Sequence, residues 1–255
     1  MSTNLVVAEV RKVITLRFWW ALLIPSVIIA MCASAIYASV AEGFSDLNDD
    51  MDTGPGSVGI YVALAWVMLV AGIFGAMNAG TEYRHKTLTP TFLTASGRDE
   101  AIAAKLLVTA FFAVGYALLV ELISLLGMLT FGARFVHLGV DMLQILALGV
   151  FAVVCWSMIG AGLGLLLGSP IGSALALVAW AAVGELTIAL IAFGLGFKEF
   201  GSFFPASATL ATLARGDFDG ENGFVDWPLA PIVLLLWAAV VAGAGWWVTR
   251  QRDIT

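Results

Sequence analysis

The chain has 255 residues, of which 61% are hydrophobic and 12% are charged. A soluble domain carries about 25% charged residues, so this composition predicts an integral membrane protein and excludes an ordinary soluble enzyme. The formal net charge of −6 does not indicate a binder of basic partners, because the acidic residues fall on one side of the predicted membrane. No sequence feature indicates nucleic-acid binding.

A helix at the N-terminus is predicted from the pattern of residues 1–18. Its apolar residues share one helical face and its basic residues the other, which is typical of a helix that lies in the cytoplasmic membrane interface. Arg17 is the exception to this pattern. The apolar face comprises Val6, Val7, Val10, Val13 and Ile14, and the polar face comprises Arg11, Lys12 and Thr15.

The segment after this helix also resembles a secretory signal peptide. It has a basic flank, an apolar core and a small-residue stretch, Ala33-Ser34-Ala35, that suits cleavage. The region before it is longer and more regularly patterned than the start of a signal peptide. We therefore expect this segment to be retained as the first membrane span.

Six apolar segments are long enough to cross a bilayer, whose hydrocarbon core needs about 20 helical residues. None of them contains Lys or Arg. They predict an all-α polytopic membrane protein whose single transmembrane domain covers residues 1–255. The predicted spans are residues 19–40, 57–80, 106–131, 142–168, 171–197 and 229–248.

The basic residues predict the orientation, because Lys and Arg accumulate in cytoplasmic loops. With the N-terminus inside, most Lys and Arg face the cytoplasm, whereas loop acids such as Asp49 and Asp219 lie outside. We expect a multi-pass protein of the cell membrane with both termini cytoplasmic. The basic residues expected inside are Arg11, Lys12, Arg17, Arg84, Lys86, Arg98, Lys105, Arg250 and Arg252.

The predicted outside segment at residues 198–228 contains an apolar stretch, "FGSFFPASATLATLARG", that is too short to span a membrane. Pro205 interrupts it, since proline breaks a helix. The segment therefore predicts a re-entrant or interfacial helical pair before the last span. The other long outside segment, residues 41–56, is acidic and predicts a plain loop.

Residues 81–100, "TEYRHKTLTPTFLTASGRDE", form the most informative cytoplasmic loop. One interpretation is a solvated basic loop that follows the rule of positive charge inside. However, such a loop has no reason to carry Tyr83, Leu88 and Phe92 among its charges. A short helix with an apolar face and basic flanks suits docking into a groove of another protein.

This loop resembles the first cytoplasmic loop of ABC transporter permeases of the type-2, exporter-like class. The resemblance starts with an acidic residue, an aromatic and Arg, continues through "KTLTPTFLTASGR", and extends to the arrangement of the whole chain. The family often has Pro where Ser96 or Gly97 stands, and this chain departs there. The matching positions are Glu82, Tyr83, Arg84, Thr87, Thr91, Leu93, Arg98 and Lys105.

The resemblance implies that residues 81–100 hold a coupling helix, which fits a cleft on a separate ATP-binding subunit. Phe92 and Leu93 would supply buried area, and Arg84 and Arg98 would supply charge-assisted hydrogen bonds. The N-terminal helix would contribute Glu9, Arg11 and Lys12 nearby. The implied contact set is Glu82, Tyr83, Arg84, Thr87, Thr91, Phe92 and Arg98.

No G-x-x-x-x-G-K-[ST] motif occurs in the sequence, so the chain has no P-loop to hold ATP. We therefore expect no catalytic residue, metal or cofactor in this chain, with ATP and Mg on the partner ATPase. The resemblance implies a permease subunit that pairs with a second copy or a related chain. Two ATPase subunits would drive it, and the substrate would move outward across the lipid bilayer.

Two other functions fit the composition. An intramembrane protease would need a Ser and a His at matching depth, or a metal-binding cluster. The two histidines, His85 and His137, lie in or near loops on opposite sides of the membrane and cannot share a metal. A non-transporting scaffold or regulatory subunit also fits, but it leaves the apolar residues of the basic loop unexplained.

Two features inside the spans have two interpretations each. Glu121 and Glu185 are costly in a bilayer, so each is either hydrogen-bonded to a neighbouring helix or faces a cavity that receives a cationic substrate or the second protomer. Small residues at a spacing of four let helices approach closely, either within one protomer or between two. They are Gly160, Gly164 and Gly168 in one span and Gly72, Ala76 and Gly80 in another.

Overall fold

A computed structural model of the chain describes residues 3–44, 53–84, 97–197, 199–215 and 224–252. All regular secondary structure in these ranges is helical, which confirms the all-α fold. The main helices are α1 (Thr3–Thr15), α2 (Phe18–Phe44), α3 (Val58–Arg84), α4 (Arg98–Gly132), α5 (Val140–Leu167), α6 (Pro170–Ala179), α7 (Glu185–Gly194), α8 (Pro205–Ala214) and α9 (Leu229–Gln251).

Six helices of the described chain are long and apolar enough to cross a membrane. They are α2, α3, α4, α5, the continuous run from α6 to α7, and α9. Each coincides with a predicted span, and the multi-pass prediction agrees with them. The largest difference is at α4, which begins at Arg98 rather than at residue 106. Asp99 and Glu100 lie in its first turn, where negative charge stabilises a helix N-terminus.

α3 and α5 form the centre of the bundle. In each, 61% of the most apolar stretch is buried, against 11% in the run from α6 to α7. Glycine allows this close packing, because a Cβ on Gly160 would lie 1.9 Å from the carbonyl oxygen of Gly72. A Cβ on Gly164 would lie 2.6 Å from the oxygen of Ala76. These small residues therefore pack helices within one chain.

The run from α6 to α7 contains one wide helical turn, the π-turn at Trp180–Gly184. The N–H of Glu185 donates to the carbonyl oxygen of Trp180, five residues earlier. Such turns occur inside α-helices, often at functional sites. Here the π-turn places Glu185 at the start of α7.

α8 belongs to the predicted outside segment. It begins at Pro205, where proline is tolerated because the first helical N–H needs no partner within the helix. A short helical turn, Phe200–Phe203, precedes it, so the segment is a helical pair with Pro205 at the break. Trp156 of α5 donates through Nε1 to the hydroxyl of Thr209 at 3.0 Å, which attaches α8 to the bundle.

α1 buries a face that the sequence predicted only in part. Val13 is fully buried and Val6 and Val10 pack against the core, but Val7 and Ile14 of the same predicted face are exposed. Glu9, which was not placed on that face, is 1% exposed. The predicted face is therefore split, with one half against protein and one half outward.

Candidate functional site

The site is built around the connection from α3 to α4, at the end of the bundle where α1 lies, here called the α1 end. Residues 85–96 lie outside the described residues, so Thr87, Thr91 and Phe92 of the predicted contact set have no structural description. The remaining members, Glu82, Tyr83, Arg84 and Arg98, lie at the two borders of that segment.

The first group of contacts, the Glu82 anchor, consists of Glu9, Lys12, Glu82 and Lys105. Lys105 of α4 lies 2.7 Å from Glu9 and 3.1 Å from Glu82. Lys12 lies 2.8 Å from Glu82. Two carboxylates thus share two ammonium groups, and the cluster joins α1, the end of α3 and the beginning of α4.

Burial makes the Glu82 anchor sensitive to loss of a partner. The side chains of Glu9, Glu82 and Lys105 are 2%, 7% and 5% exposed. Isolated charges at such positions lose hydration at a cost of several kcal/mol, so each must face an opposite charge. The four charges of the anchor sum to zero, and this balance allows the cluster to be buried.

Two pKa shifts describe the same balance. Burial tends to raise the pKa of Glu9, but Lys105 and Lys12 outweigh it and hold that pKa below its ordinary 4.5. Burial tends to lower the pKa of Lys12, but Glu82 and Glu9 raise it above 10.5. A carboxyl group whose pKa is lower in the folded than in the unfolded protein stabilises the fold at pH values above its unfolded pKa. This stabilisation is lost as the pH falls through the folded pKa. The contribution of Lys12 is lost only as the pH rises through its raised pKa.

Hydrogen bonds extend the anchor along α4. The hydroxyl of Thr109 donates to the carbonyl oxygen of Lys105 and accepts from the side-chain amide of Asn78, both at 2.9 Å. Thr109 is fully buried and Asn78 is 5% exposed. α3 and α4 are therefore tied together over one further turn beyond the ion pairs.

The second group of contacts, the α9 anchor, ties both borders of residues 85–96 to the last helix. The hydroxyls of Tyr83 and Thr249 lie 2.6 Å apart. The guanidinium of Arg252 lies 5.4 Å from the centre of the Tyr83 ring, within the range of a cation–π contact. Arg252 also donates to the carbonyl oxygen of Leu166 at 2.5 Å, so α5 is attached here as well.

Arg98 completes the α9 anchor from the other border. Its Nη1 donates to the carbonyl oxygens of Arg250 and Arg252 at 3.0 and 3.3 Å. A cation at a helix C-terminus satisfies carbonyl groups that have no partner within the helix. The carboxylate of Asp99 also accepts a hydrogen bond of 2.8 Å from Nε1 of Trp246 in α9.

Arg84 differs from its neighbours in the predicted contact set. It ends α3 and is exposed. No ion pair joins it to an acidic residue of the described chain. Glu82, Tyr83 and Arg98 make contacts within the chain, whereas Arg84 leaves its charge available. The three predicted residues of α1 differ in the same way. Glu9 and Lys12 belong to the Glu82 anchor, whereas Arg11 is exposed.

Glu185 lies in the half of the bundle away from the α1 end, in contact with α8. Its carboxylate accepts from the backbone N–H groups of Ala206 and Ser207 at 2.9 and 2.8 Å, and the side chain is buried. A carboxylate suits a helix N-terminus because both unpaired N–H groups and the helix dipole favour negative charge. Glu185 lies ~14 Å along the helix from the end of α7, at 1.5 Å per residue, so the start of α8 reaches well inside the span.

Glu121 has different surroundings. It is 4% exposed, and its Oε1 has no hydrogen-bonding partner in the described part of the chain. Gly149 makes room for it, since a Cβ there would lie 2.7 Å from Oε1. Glu121 therefore faces the centre of the bundle at α5, away from both anchors.

Sequence reasoning missed most of the internal partners of the predicted site. The spacing of three between Glu9 and Lys12 is a signal for an ion pair within a helix. No local signal connects Tyr83 with Thr249, which is 166 residues further along the chain. Arg98 and the α9 carbonyl groups also come together only through the packing of the fold.

No metal centre is found among the described residues, where no group of three or more His, Cys, Asp and Glu could hold an ion. Comparison with known proteins identifies no relative, since no protein-family model and no curated protein matches the sequence.

Proposed function

We propose that the chain is the permease subunit of an ATP-binding cassette transporter, with residues 81–100 as the coupling element for a separate ATPase. Two such subunits, identical or related, would enclose a route through a cell membrane and move a substrate outward. The α1 end would face the cytoplasm, where the basic residues concentrate. The alternative is a membrane scaffold or regulatory subunit without transport activity.

The observation that carries the proposal is that the chain is attached to the bundle on both sides of residues 85–96. One border is held by the Glu82 anchor and both borders are held by the α9 anchor. A segment attached in this way can pass a displacement to α1, α3, α4 and α9 at once. A solvated loop needs no such attachment, because its position is of no consequence.

The contacts also suggest separate roles within the predicted set. Glu82, Tyr83 and Arg98 would act as positioning residues, since their polar groups already have partners within the chain. Arg84 and Phe92 would touch the ATPase. Arg84 would supply a charge-assisted hydrogen bond and Phe92 an apolar anchor, which are the residue types that dominate many interfaces.

The experiment measures ATP hydrolysis that co-purifies with the tagged chain from its own host. The double variant Arg84→Glu and Phe92→Ala is expected to lose at least ~90% of the Mg-dependent activity. Replacing two interface residues of these types costs more than ~2 kcal/mol of binding free energy. Tryptophan fluorescence should show an unchanged melting temperature, since the Arg84 side chain is exposed and takes part in neither anchor.

The matched control makes the same two changes at the opposite end of the bundle, Arg134→Glu and Phe135→Ala. These residues lie in one short helical turn, where Arg134 is exposed and Phe135 is half-buried, with the guanidinium 4.6 Å from the ring centre. This variant should retain the hydrolysis. Equal activity in wild type and the Arg84 and Phe92 variant would reject the coupling assignment, and no activity in any sample would favour the scaffold alternative.

A further inference from the structure

The outward side of α1 is a surface that neither anchor uses. Its exposed residues form one stripe along the helix, here called the outer stripe, which faces away from the bundle. The stripe combines aliphatic, basic and small polar side chains. Its members are Asn4, Val7, Ala8, Arg11, Ile14 and Thr15.

The centre of the outer stripe has a distinctive order. Val7, Arg11 and Ile14 follow one another at the spacing of successive helical turns. Val7 is 48% and Ile14 56% exposed, so two aliphatic side chains flank one arginine. Arg11 forms no ion pair with an acidic residue in the ranges that the structure describes. An open hollow of about 620 Å³ lies along α1, and its lining includes Val7, Ala8, Arg11 and Lys12.

The neighbouring Lys12 shows why Arg11 is the residue of interest. Lys12 turns toward the bundle and pairs with Glu9 and Glu82. Its charge is therefore balanced within the chain, whereas the adjacent charge of Arg11 is directed outward. Two consecutive basic residues thus serve different sides of the same helix.

The position of α1 favours a lipid as the occupant. Nε1 of Trp19 donates to the carbonyl oxygen of Ile14 at 3.3 Å, so the end of α1 lies beside a tryptophan at the start of α2. Tryptophan concentrates at the level of the lipid headgroups. An interfacial helix with aliphatic and basic residues binds through apolar burial and attraction to anionic lipids.

We propose that the outer stripe of α1 binds an anionic glycerophospholipid, with Arg11 on the phosphate and Val7 and Ile14 against the acyl chains. If the stripe faced only water, the two exposed aliphatic side chains would have no favourable contact. A phosphate ion would use Arg11 but would leave Val7 and Ile14 without a function. An amphiphile with negative charge satisfies all three residues.

The test uses the purified full-length chain in detergent micelles and counts bound lipids by native mass spectrometry. The probes are dioctanoyl phosphatidylglycerol, dioctanoyl phosphatidylcholine and inorganic phosphate. Wild type is expected to bind phosphatidylglycerol more tightly than phosphatidylcholine. Arg11→Gln should weaken phosphatidylglycerol binding about fivefold, as expected for one basic residue at an anionic surface. It should weaken phosphatidylcholine binding less, because the choline ammonium already balances that phosphate.

Two variants serve as controls. Arg11→Lys keeps the charge and should retain the preference. Arg250→Gln removes another basic side chain at the same end of the bundle, one that is 57% exposed and lies 3.6 Å from Asp99, and should leave lipid binding unchanged. Val7→Gln should weaken binding of both lipids, because it removes apolar contact rather than charge.

Several results would overturn the inference. One is an unchanged affinity for phosphatidylglycerol in Arg11→Gln, and another is an equal loss in Arg250→Gln. Full competition by inorganic phosphate would assign the site to a free anion. If Arg11→Gln instead removes co-purifying ATP hydrolysis without changing lipid binding, the stripe belongs to a partner protein. The lipid measurement needs no ATPase, so it stands apart from the proposed transport function.

Discussion

Buried carboxylates hold both ends of the molecule, but their partners differ. At the α1 end, Glu9 and Glu82 face the ammonium groups of Lys12 and Lys105. At the opposite end, Glu185 faces two backbone N–H groups of α8. Loss of an ammonium group leaves a buried charge, whereas loss of the Glu185 charge leaves a helix start that can still turn to other acceptors. The α1 end should therefore be the more sensitive of the two.

The largest effect is expected from Lys105→Met. This substitution leaves Glu9 without its most buried partner, and breaking a buried ion pair costs about 3–5 kcal/mol. The free energy of unfolding can be measured by tryptophan fluorescence during titration of mixed micelles with sodium dodecyl sulfate. Transport or coupled ATP hydrolysis is not needed for this measurement.

Lys12→Met is the matched control for that prediction. Its side chain is 39% exposed, so water partly screens the charge that its removal leaves on Glu82, and the loss of stability should be smaller than that of Lys105→Met. The sensitivity assigned to the α1 end would be wrong if the two lysine variants lost equal stability.

A smaller and local effect is expected from Glu185→Gln. The amide keeps one acceptor but removes the charge, and hydrogen bonds to a charged group contribute about 1.5–3 kcal/mol. Hydrogen exchange at the amides of Ala206 and Ser207 should accelerate by about tenfold or more, while exchange at α1 should not change. Glu199→Gln, an exposed carboxylate at the same end, should leave α8 protected. Faster exchange at α1 would mean that the two ends are not independent.

The smallest effect is expected from Tyr83→Phe, which removes only the hydroxyl that meets Thr249. One neutral hydrogen bond contributes about 0.5–1.5 kcal/mol. Thr249→Val should cost a similar amount, and the double variant should cost little more than either substitution, because both remove the same interaction. Full additivity in the same unfolding titration would show that the two hydroxyls act separately.

The spans could be predicted closely because length and hydrophobicity alone decide whether a helix can cross a bilayer. The break at Pro205 was also predictable, since proline limits where a helix can continue. In contrast, α4 begins before its apolar stretch. A helix extends as far as its backbone hydrogen bonds continue, whether or not the residues are apolar. Asp99 and Glu100 stabilise the first turn of α4, which lies before the apolar stretch.

The contacts of the candidate site could not be predicted in the same way. Glu82, Tyr83 and Arg98 were singled out, but their partners within the chain were not identified. Those partners lie 23 or more residues away and belong to other helices, and sequence periodicity reports only neighbours within one helix. The split face of α1 has the same origin, because ion pairing with Lys105 draws Glu9 inward and turns Val7 out.

The π-turn determines which deletions the fifth span, the run from α6 to α7, can accept without losing its contacts. One residue corresponds to a rotation of about 100° around a helix axis, so the wide turn offsets every side chain after it from the ideal helical phase. The half before the π-turn can then present Leu177 to Gly72 of α3, while the half after it aims Glu185 at α8. Shortening Trp180–Gly184 by one residue would preserve a membrane-length helix and yet point that carboxylate away from the amides it holds. In this span, length and phase are separate properties, and phase decides whether the first N–H groups of α8 meet the Glu185 carboxylate.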